Sequence, residues 1–314
     1  MSLVCKSWLR PTRYHLFRKL VFHLGTSREA HLLGLIQDPR CTLLPAVRKV
    51  WILPPQQAAL PEDTNNNIQL LANRFPNART LSIHSQRVIP QPTLEVIADA
   101  FKDVVANLTM MMRFRSPAHA AMFAASFPKL EELHYELVRT PALPYDTVMP
   151  LLSVPENLRK LYLYSIRGYE QWFAQGQNLS ELSIDHIRQD DTSVLNELLR
   201  LFGTRLKHLT LRFDNQKGDV DWGTDISQNT SDLEVDLSAL TKKHVYPLLA
   251  SASLNAPVLE TIVWRNRFSF DGFPEDHWRG LDALLSDPNR LPALSKFEIR
   301  SPRNQGERQA LCAV

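Results

Sequence analysis

One hydrophobic pattern recurs along the chain: an apolar residue, two variable positions, a second apolar residue, one variable position and a third apolar residue. It is written as Val47-x-x-Val50-x-Ile52, Ala78-x-x-Leu81-x-Ile83, Leu130-x-x-Leu133-x-Tyr135 and Leu158-x-x-Leu161-x-Leu163. It continues as Leu179-x-x-Leu182-x-Ile184, Leu206-x-x-Leu209-x-Leu211, Leu259-x-x-Ile262-x-Trp264 and Leu294-x-x-Phe297-x-Ile299. Two degraded copies, around Leu108 to Met112 and around Leu233 to Leu237, are counted from Leu108 and Leu233. The last three positions alternate inward and outward with period two, so each copy predicts a short strand with one buried face.

Between the strands the apolar spacing changes to that of a helix. Residues 93 to 106 align Leu94, Ile97, Ala98, Phe101, Val104 and Val105 on one stripe, and similar runs cover 117–126, 192–202, 241–252 and 277–286. A proline or glycine precedes most strand copies: Pro45, Pro76, Pro128, Pro155, Gly176, Gly203, Pro257 and Pro292. Proline there stops the helix and favours the extended backbone that follows. The remaining stretches near 54–68, 139–150, 214–230 and 265–276 predict long loops.

The copies start 21 to 35 residues apart, about 27 on average, close to the repeat length of leucine-rich repeats. The pattern resembles that family over roughly residues 43 to 301. The resemblance implies an α/β fold, an irregular leucine-rich-repeat solenoid of about ten repeats over 43–314. It would form an arc or horseshoe with short parallel strands on the concave side and helices on the convex side. The family's Asn or Cys, three residues after the third apolar position, is replaced here by Gln86, Val138, Ile166, Ile187 and Asp214. A non-solenoid α/β domain is the competing architecture, since it also alternates strands with helices.

Composition narrows the chemistry. Glycine numbers only 10 in 314 residues, less than half of the usual share of roughly 7%, and no two glycines stand one residue apart. Dinucleotide and phosphate loops and the G-x-S-x-G nucleophile turn are therefore missing from the sequence, and no enzymatic activity or cofactor is expected. Among the 10 histidines there is no H-E-x-x-H. The acidic run Asp219 to Asp225 puts Gly223 at the fifth position and Thr230 where a calcium loop needs Glu. Cys5, Cys41 and Cys312 form neither a C-x-x-C pair nor an even set, which points to a reducing compartment, cytoplasmic or nuclear. Secretory and membrane-spanning segments are not expected. The formal charge of +3 gives no overall footprint for nucleic acid, although residues 1 to 40 carry seven basic residues against Glu29 and Asp38.

Residues 2 to 24 read SLVCKSWLRPTRYHLFRKLVFHL. The string Leu3-Val4-Cys5-Lys6-Ser7-Trp8-Leu9, followed by Arg13-Tyr14-His15-Leu16-Phe17-Arg18, resembles the second half of an F-box, as found in F-box and repeat proteins of mushroom-forming fungi. Leu3, Val4, Trp8 and Leu9 fall on one helical face, and Leu16, Phe17 and Leu20 on another. The resemblance implies a partial F-box over 1–24, a connecting helical segment over 25–42, and a Skp1-type adaptor and cullin ligase as partners. The adaptor would dock on Leu3, Val4, Trp8 and Leu9. The first half of such a module, with its Leu-Pro and acidic helix, would lie upstream of residue 2.

Strand alternation then nominates a target-binding surface, because the residues between and just after the inward positions share the opposite face. These are Trp51, Ser82, His84, His134, Glu136, Tyr162, Tyr164, Ser183, Asp185, Thr210, Arg212, Arg265, Glu298 and Arg300. Tyr, Trp and Arg are the types enriched at interface hot spots, and Tyr162 with Tyr164 is the leading pair. The function expected from the sequence is a non-enzymatic substrate-receptor subunit of a cullin-based ubiquitin ligase; the alternative is a stand-alone repeat scaffold.

Overall fold

A computed structural model describes residues 15–55, 60–71, 74–136, 153–164, 172, 178–188, 191–202, 205–213, 232–236, 260–265, 275–287, 289 and 292–300. The chain divides into two compact units, Met1–Leu158 and Arg159–Val314. In both, parallel strands alternate with helices and each strand pairs with the next one in sequence.

The first unit contains β1 (Lys19–His23), α1 (Ser27–Gln37), β2 (Lys49–Leu53), α2 (Thr64–Gln69), β3 (Thr80–Val88), α3 (Gln91–Phe101), β4 (Asn107–Arg113), α4 (Pro117–Ala125) and β5 (Glu132–Glu136). The inward strand positions stack in register: Leu20, Val50, Leu81, Leu108 and Leu133 in one row, and Phe22, Ile52, Ile83, Met110 and Tyr135 in the next. All but the half-buried Leu20 on the first strand are buried. The helices close this core with the stripe read from the sequence, Leu94, Ile97, Ala98 and Phe101 on α3. Helix α4 begins on Ser116, whose hydroxyl accepts the His119 N–H at 3.3 Å, a side-chain cap. Phe127 packs edge-on against Phe123 just beyond its end.

The second unit contains β6 (Lys160–Leu163), β7 (Glu181–Ile187), α5 (Thr192–Phe202), β8 (His208–Phe213), β9 (Asp232–Asp236), β10 (Thr261–Arg265), α6 (Glu275–Leu285) and β11 (Lys296–Arg300). Leu161, Leu182 and Leu209, then Leu163, Ile184 and Leu211, are the matching buried rows. Leu195, Leu198, Leu199 and Phe202 of α5 are buried as well.

Two backbone devices repeat from strand to strand. Before the strand, a four-residue turn closes by an N–H to C=O bond: Val47 to Leu44, Ala78 to Phe75, Leu130 to Phe127 and Leu158 to Pro155, at 3.0 to 3.2 Å. In the first three, proline occupies the second position (Pro45, Pro76, Pro128), where its fixed φ fits and no N–H is needed. At the strand's start, the carbonyl just before the preceding strand accepts two successive N–H groups. Arg18 C=O takes Arg48 and Lys49, Arg48 C=O takes Arg79 and Thr80, and Ser180 C=O takes Lys207 and His208.

Several expectations change. Residues 19–23 form a strand, so the helical face read through Leu16, Phe17 and Leu20 does not exist as such, and the partial F-box cannot extend as a helical module to residue 24. Phe17-x-x-Leu20-x-Phe22 is instead one more copy of the repeat, in register with Val50 and Ile52. The copy counted from Leu108 is shifted by three residues. Pairing aligns Leu108 with Leu81 and Met110 with Ile83, so the copy is Val105-x-x-Leu108-x-Met110 and is not degraded. Similarly, Leu233 and Val235 align with Leu209 and Leu211, which moves that copy's first position to Thr230. The stretch 54–68 is no continuous loop, since α2 begins at Thr64. The run 241–252, the stretches 139–150 and 214–230, and the acidic run from Asp219 lie outside the described residues.

Candidate interaction surface

Because the inward rows are filled by Leu, Ile, Val, Met, Phe and Tyr, the intervening side chains of each strand share the other face of the sheet. In the first unit the middle row of that face is Val21, Trp51, Ser82, Thr109 and His134. Most are half-buried or exposed, but Ser82 is buried among its neighbours. Trp51 is the centre of a stack. The Lys19 ammonium lies 3.1 Å from its ring centroid, and the His84 imidazole stacks on it at 4.6 Å between centroids and 19° between planes. A cation over an indole face is attracted by the ring's quadrupole.

The stack shapes the electrostatics of His84. Burial, followed by the positive charge of Lys19, lowers its pKa, with Glu136 pulling in the opposite direction and His134 adding a smaller lowering. Its Nε2 is buried and has no hydrogen-bond partner among the described residues. The neutral ring is therefore the favoured form at neutral pH.

In the second unit the corresponding face carries Tyr162, Ser183 and Thr210 in register. Tyr164 packs its ring 4.1 Å from that of His186. His186 has φ +52° at a register shift in β7 between Ile184 and Ile187. Positive φ is uncommon outside glycine, though histidine is enriched among the exceptions, and here it brings the imidazole to Tyr164. Beside it, Arg212 Nη1 donates to Asp185 Oδ2 at 2.6 Å, and Lys160 pairs with Glu181 at 2.6 Å.

The structure thus brings Trp51, His84 and Glu136 into one electrostatically linked group, with His134 at its edge. In the second unit it pairs Asp185 with Arg212 and sets Tyr164 against His186. Arg265 and Arg300 are register partners at the ends of β10 and β11, and Glu298 is half-buried beside Lys296, 2.9 Å away. Leu3, Val4, Trp8 and Leu9 lie outside the described residues. Sequence reasoning missed Lys19 and His186. Lys19 follows once Phe17-x-x-Leu20-x-Phe22 is recognised as a repeat; no sequence signal marks the positive φ of His186.

Among the described residues, no group of three or more His, Cys, Asp or Glu could hold a metal ion, and no helix is long and apolar enough to cross a membrane. No protein-family model matches the chain, and no curated protein matches it.

Proposed function

We propose that the chain is a non-enzymatic protein-interaction module, an irregular leucine-rich-repeat solenoid acting as the substrate-receptor subunit of a cullin-based ubiquitin ligase. The observation that carries the solenoid reading is the strand order. In a doubly wound α/β domain the order reverses at a switch point, which is where such folds bind ligands. Within each unit here, every strand follows its predecessor without reversal, and the one-carbonyl, two-amide bond recurs from repeat to repeat. Asn77 and Asn157 supplement this regularity: each donates its side-chain amide to the proline carbonyl of the preceding turn, Pro45 and Pro128, at 3.0 and 3.3 Å. A turn amide therefore bridges successive repeats although the family's usual Asn position is unoccupied by Asn.

Each unit offers an open sheet face to a target protein, with Trp51 and His84 in the first unit and Tyr162 and Tyr164 in the second. The ligase connection rests on the resemblance of residues 3–18 to an F-box. The expected test outcome is capture of a purified Skp1-type adaptor by the full chain, lost in Trp8→Ala/Leu9→Ala. A folded chain that captures no adaptor overturns the ligase reading. The stand-alone scaffold is then the function, and β1 favours it, because that strand commits to the sheet residues that the resemblance assigns to the adaptor-binding module.

A further inference from the structure

The starts of successive strands in the first unit carry a graded charge. They read Arg18-Lys19 at β1, Arg48-Lys49 at β2, Arg79-Thr80 at β3, Ala106-Asn107 at β4 and Glu131-Glu132 at β5. The double-amide bonds hold these starts side by side: Lys49 N–H reaches Arg18 C=O, Thr80 reaches Arg48, Asn107 reaches Arg79 and Glu132 reaches Ala106 at 2.9 to 3.1 Å. Lys19 is in register with Lys49, and Asn107 with Glu132. One edge of the face therefore runs from cationic to anionic over four strand spacings, about 19 Å at roughly 4.8 Å each.

Apart from Lys19, whose ammonium sits over the Trp51 ring, the fold does not engage these charges. Arg18, Lys19, Lys49, Arg79 and Glu131 are exposed and Glu132 is half-buried, and among the described residues none of the six forms an ion pair. The second unit treats the same positions differently: Lys160 and Glu181, adjacent in register, pair at 2.6 Å. Charges left unpaired and sorted by sign along an edge make a surface potential that selects and orients a partner.

We propose that this edge binds an extended protein segment in a single direction. Acidic residues of the segment lie over Arg18, Lys19, Lys49 and Arg79. A basic residue about six positions away lies over Glu131 and Glu132, since an extended chain covers about 19 Å in six residues. An apolar or aromatic side chain between them packs against the edge of the half-buried Trp51 ring, between Lys19 and His84. A nucleic acid fits less well: its uniform negative charge is repelled at β5, and the middle row of this face has a single aromatic, Trp51, where single-strand binders use a series of them. The inference rests on the reading of the open face as the target surface and names the chemistry of that target.

The test selects dodecapeptides from a displayed random library on the full chain, then measures the selected peptides by fluorescence anisotropy. The expected winners carry acidic residues at one end and basic residues at the other, in one order. Lys19→Glu/Lys49→Glu weakens them roughly tenfold at low salt and less at 0.5 M salt. Selection on Lys19→Glu/Lys49→Glu/Glu131→Lys/Glu132→Lys, checked for folding by circular dichroism, recovers the reversed order. Recovery of the same order on that variant, or of no peptide above background, overturns the proposal, as does equal or tighter binding of a twelve-residue oligothymidylate. Salt-sensitive dimerisation abolished by Lys19→Glu/Lys49→Glu also overturns it, by identifying a second copy of the chain as the occupant. Peptides that lose binding in Trp51→Ala yet ignore the charge reversals sink the directional inference alone. Binding of every peptide unchanged by Trp51→Ala removes the open-face reading with it, and neither result touches the adaptor capture that tests the ligase connection.

Discussion

Two adjacent methionines offer a direct test of how β4 is registered. Met110 sits in β4 between Ile83 and Tyr135 and is 1% exposed. Met111 sits between His84 and Glu136 on the opposite face and is half-buried. Replacing Met110 by Ala removes three heavy atoms from the core. At about 0.8 kcal/mol for each buried methylene-sized group the transfer loss is about 2.4 kcal/mol, and incomplete collapse of the cavity brings the expected cost to about 3 kcal/mol. Met111→Ala removes the same atoms from a surface that water already reaches, for an expected cost below about 1 kcal/mol. Urea unfolding of the two variants, followed by circular dichroism and Trp fluorescence, measures the difference; with a slope of about 3 kcal/mol per molar, Met110→Ala lowers the midpoint by about 1 M. A copy counted from Leu108 makes Met111 the inward residue and predicts the reverse. Equal costs, or a larger cost at Met111, refute the register.

Three further outcomes follow from the described contacts. His84 resists protonation when folded, whereas the unfolded chain takes that proton near its ordinary value of about 6.5, so the unfolded state binds more protons below that pH. Stability from this group is fully present above about pH 6.5 and declines as pH falls toward the lowered folded value; the loss in melting temperature between pH 7.5 and 5.5 should shrink in His84→Phe. Glu29 is 5% exposed and accepts the Gly25 N–H at 2.5 Å and the Asn67 amide at 3.0 Å, so Glu29→Ala strands both donors. The expected cost is about 2 kcal/mol by chemical denaturation, with Glu29→Gln costing less. A double-mutant cycle on Asp185 and Arg212, whose side chains are about one-third exposed, should give about 0.5 to 1 kcal/mol at low salt and less in 1 M NaCl.

Strand positions were legible where inward apolar and outward polar residues alternate cleanly, as in Leu81-Ser82-Ile83 and Leu182-Ser183-Ile184. They were obscured where neighbours are all apolar. Met110, Met111 and Met112 offer no period-two contrast, so only pairing with β3 distinguishes the inward residues. The first strand was hidden by a different ambiguity: Leu16, Phe17 and Leu20 satisfy helical spacing, and Phe17, Leu20 and Phe22 satisfy strand spacing. Pairing with β2 decides between them, because Leu20 and Phe22 then extend two buried rows. Helix α2, with the sequence TNNNIQ, has one strongly apolar residue, too few to show any period.

The candidate surface was legible by residue type but not by grouping. Trp51 and His84 are 33 positions apart, and Lys19 lies 32 before Trp51; only parallel pairing of successive strands makes them a stack. The same holds for the charges. A count along the chain finds a basic N-terminal segment, but it cannot tell a solvated helix face from one end of a graded edge. Pairing each strand with its successor converts repeat length into lateral spacing. A residue's neighbour on the face is then its counterpart one repeat away, so slow drift in composition at one repeat position becomes a field across the sheet. The drift from Arg-Lys to Glu-Glu over five strand starts is invisible within any single repeat. The ion pair at the start of β6 and β7 shows that the same scaffold can instead neutralise these positions internally. Strand pairing is satisfied in both cases, so the fold does not require the unpaired edge, and a partner of complementary charge supplies a reason for it.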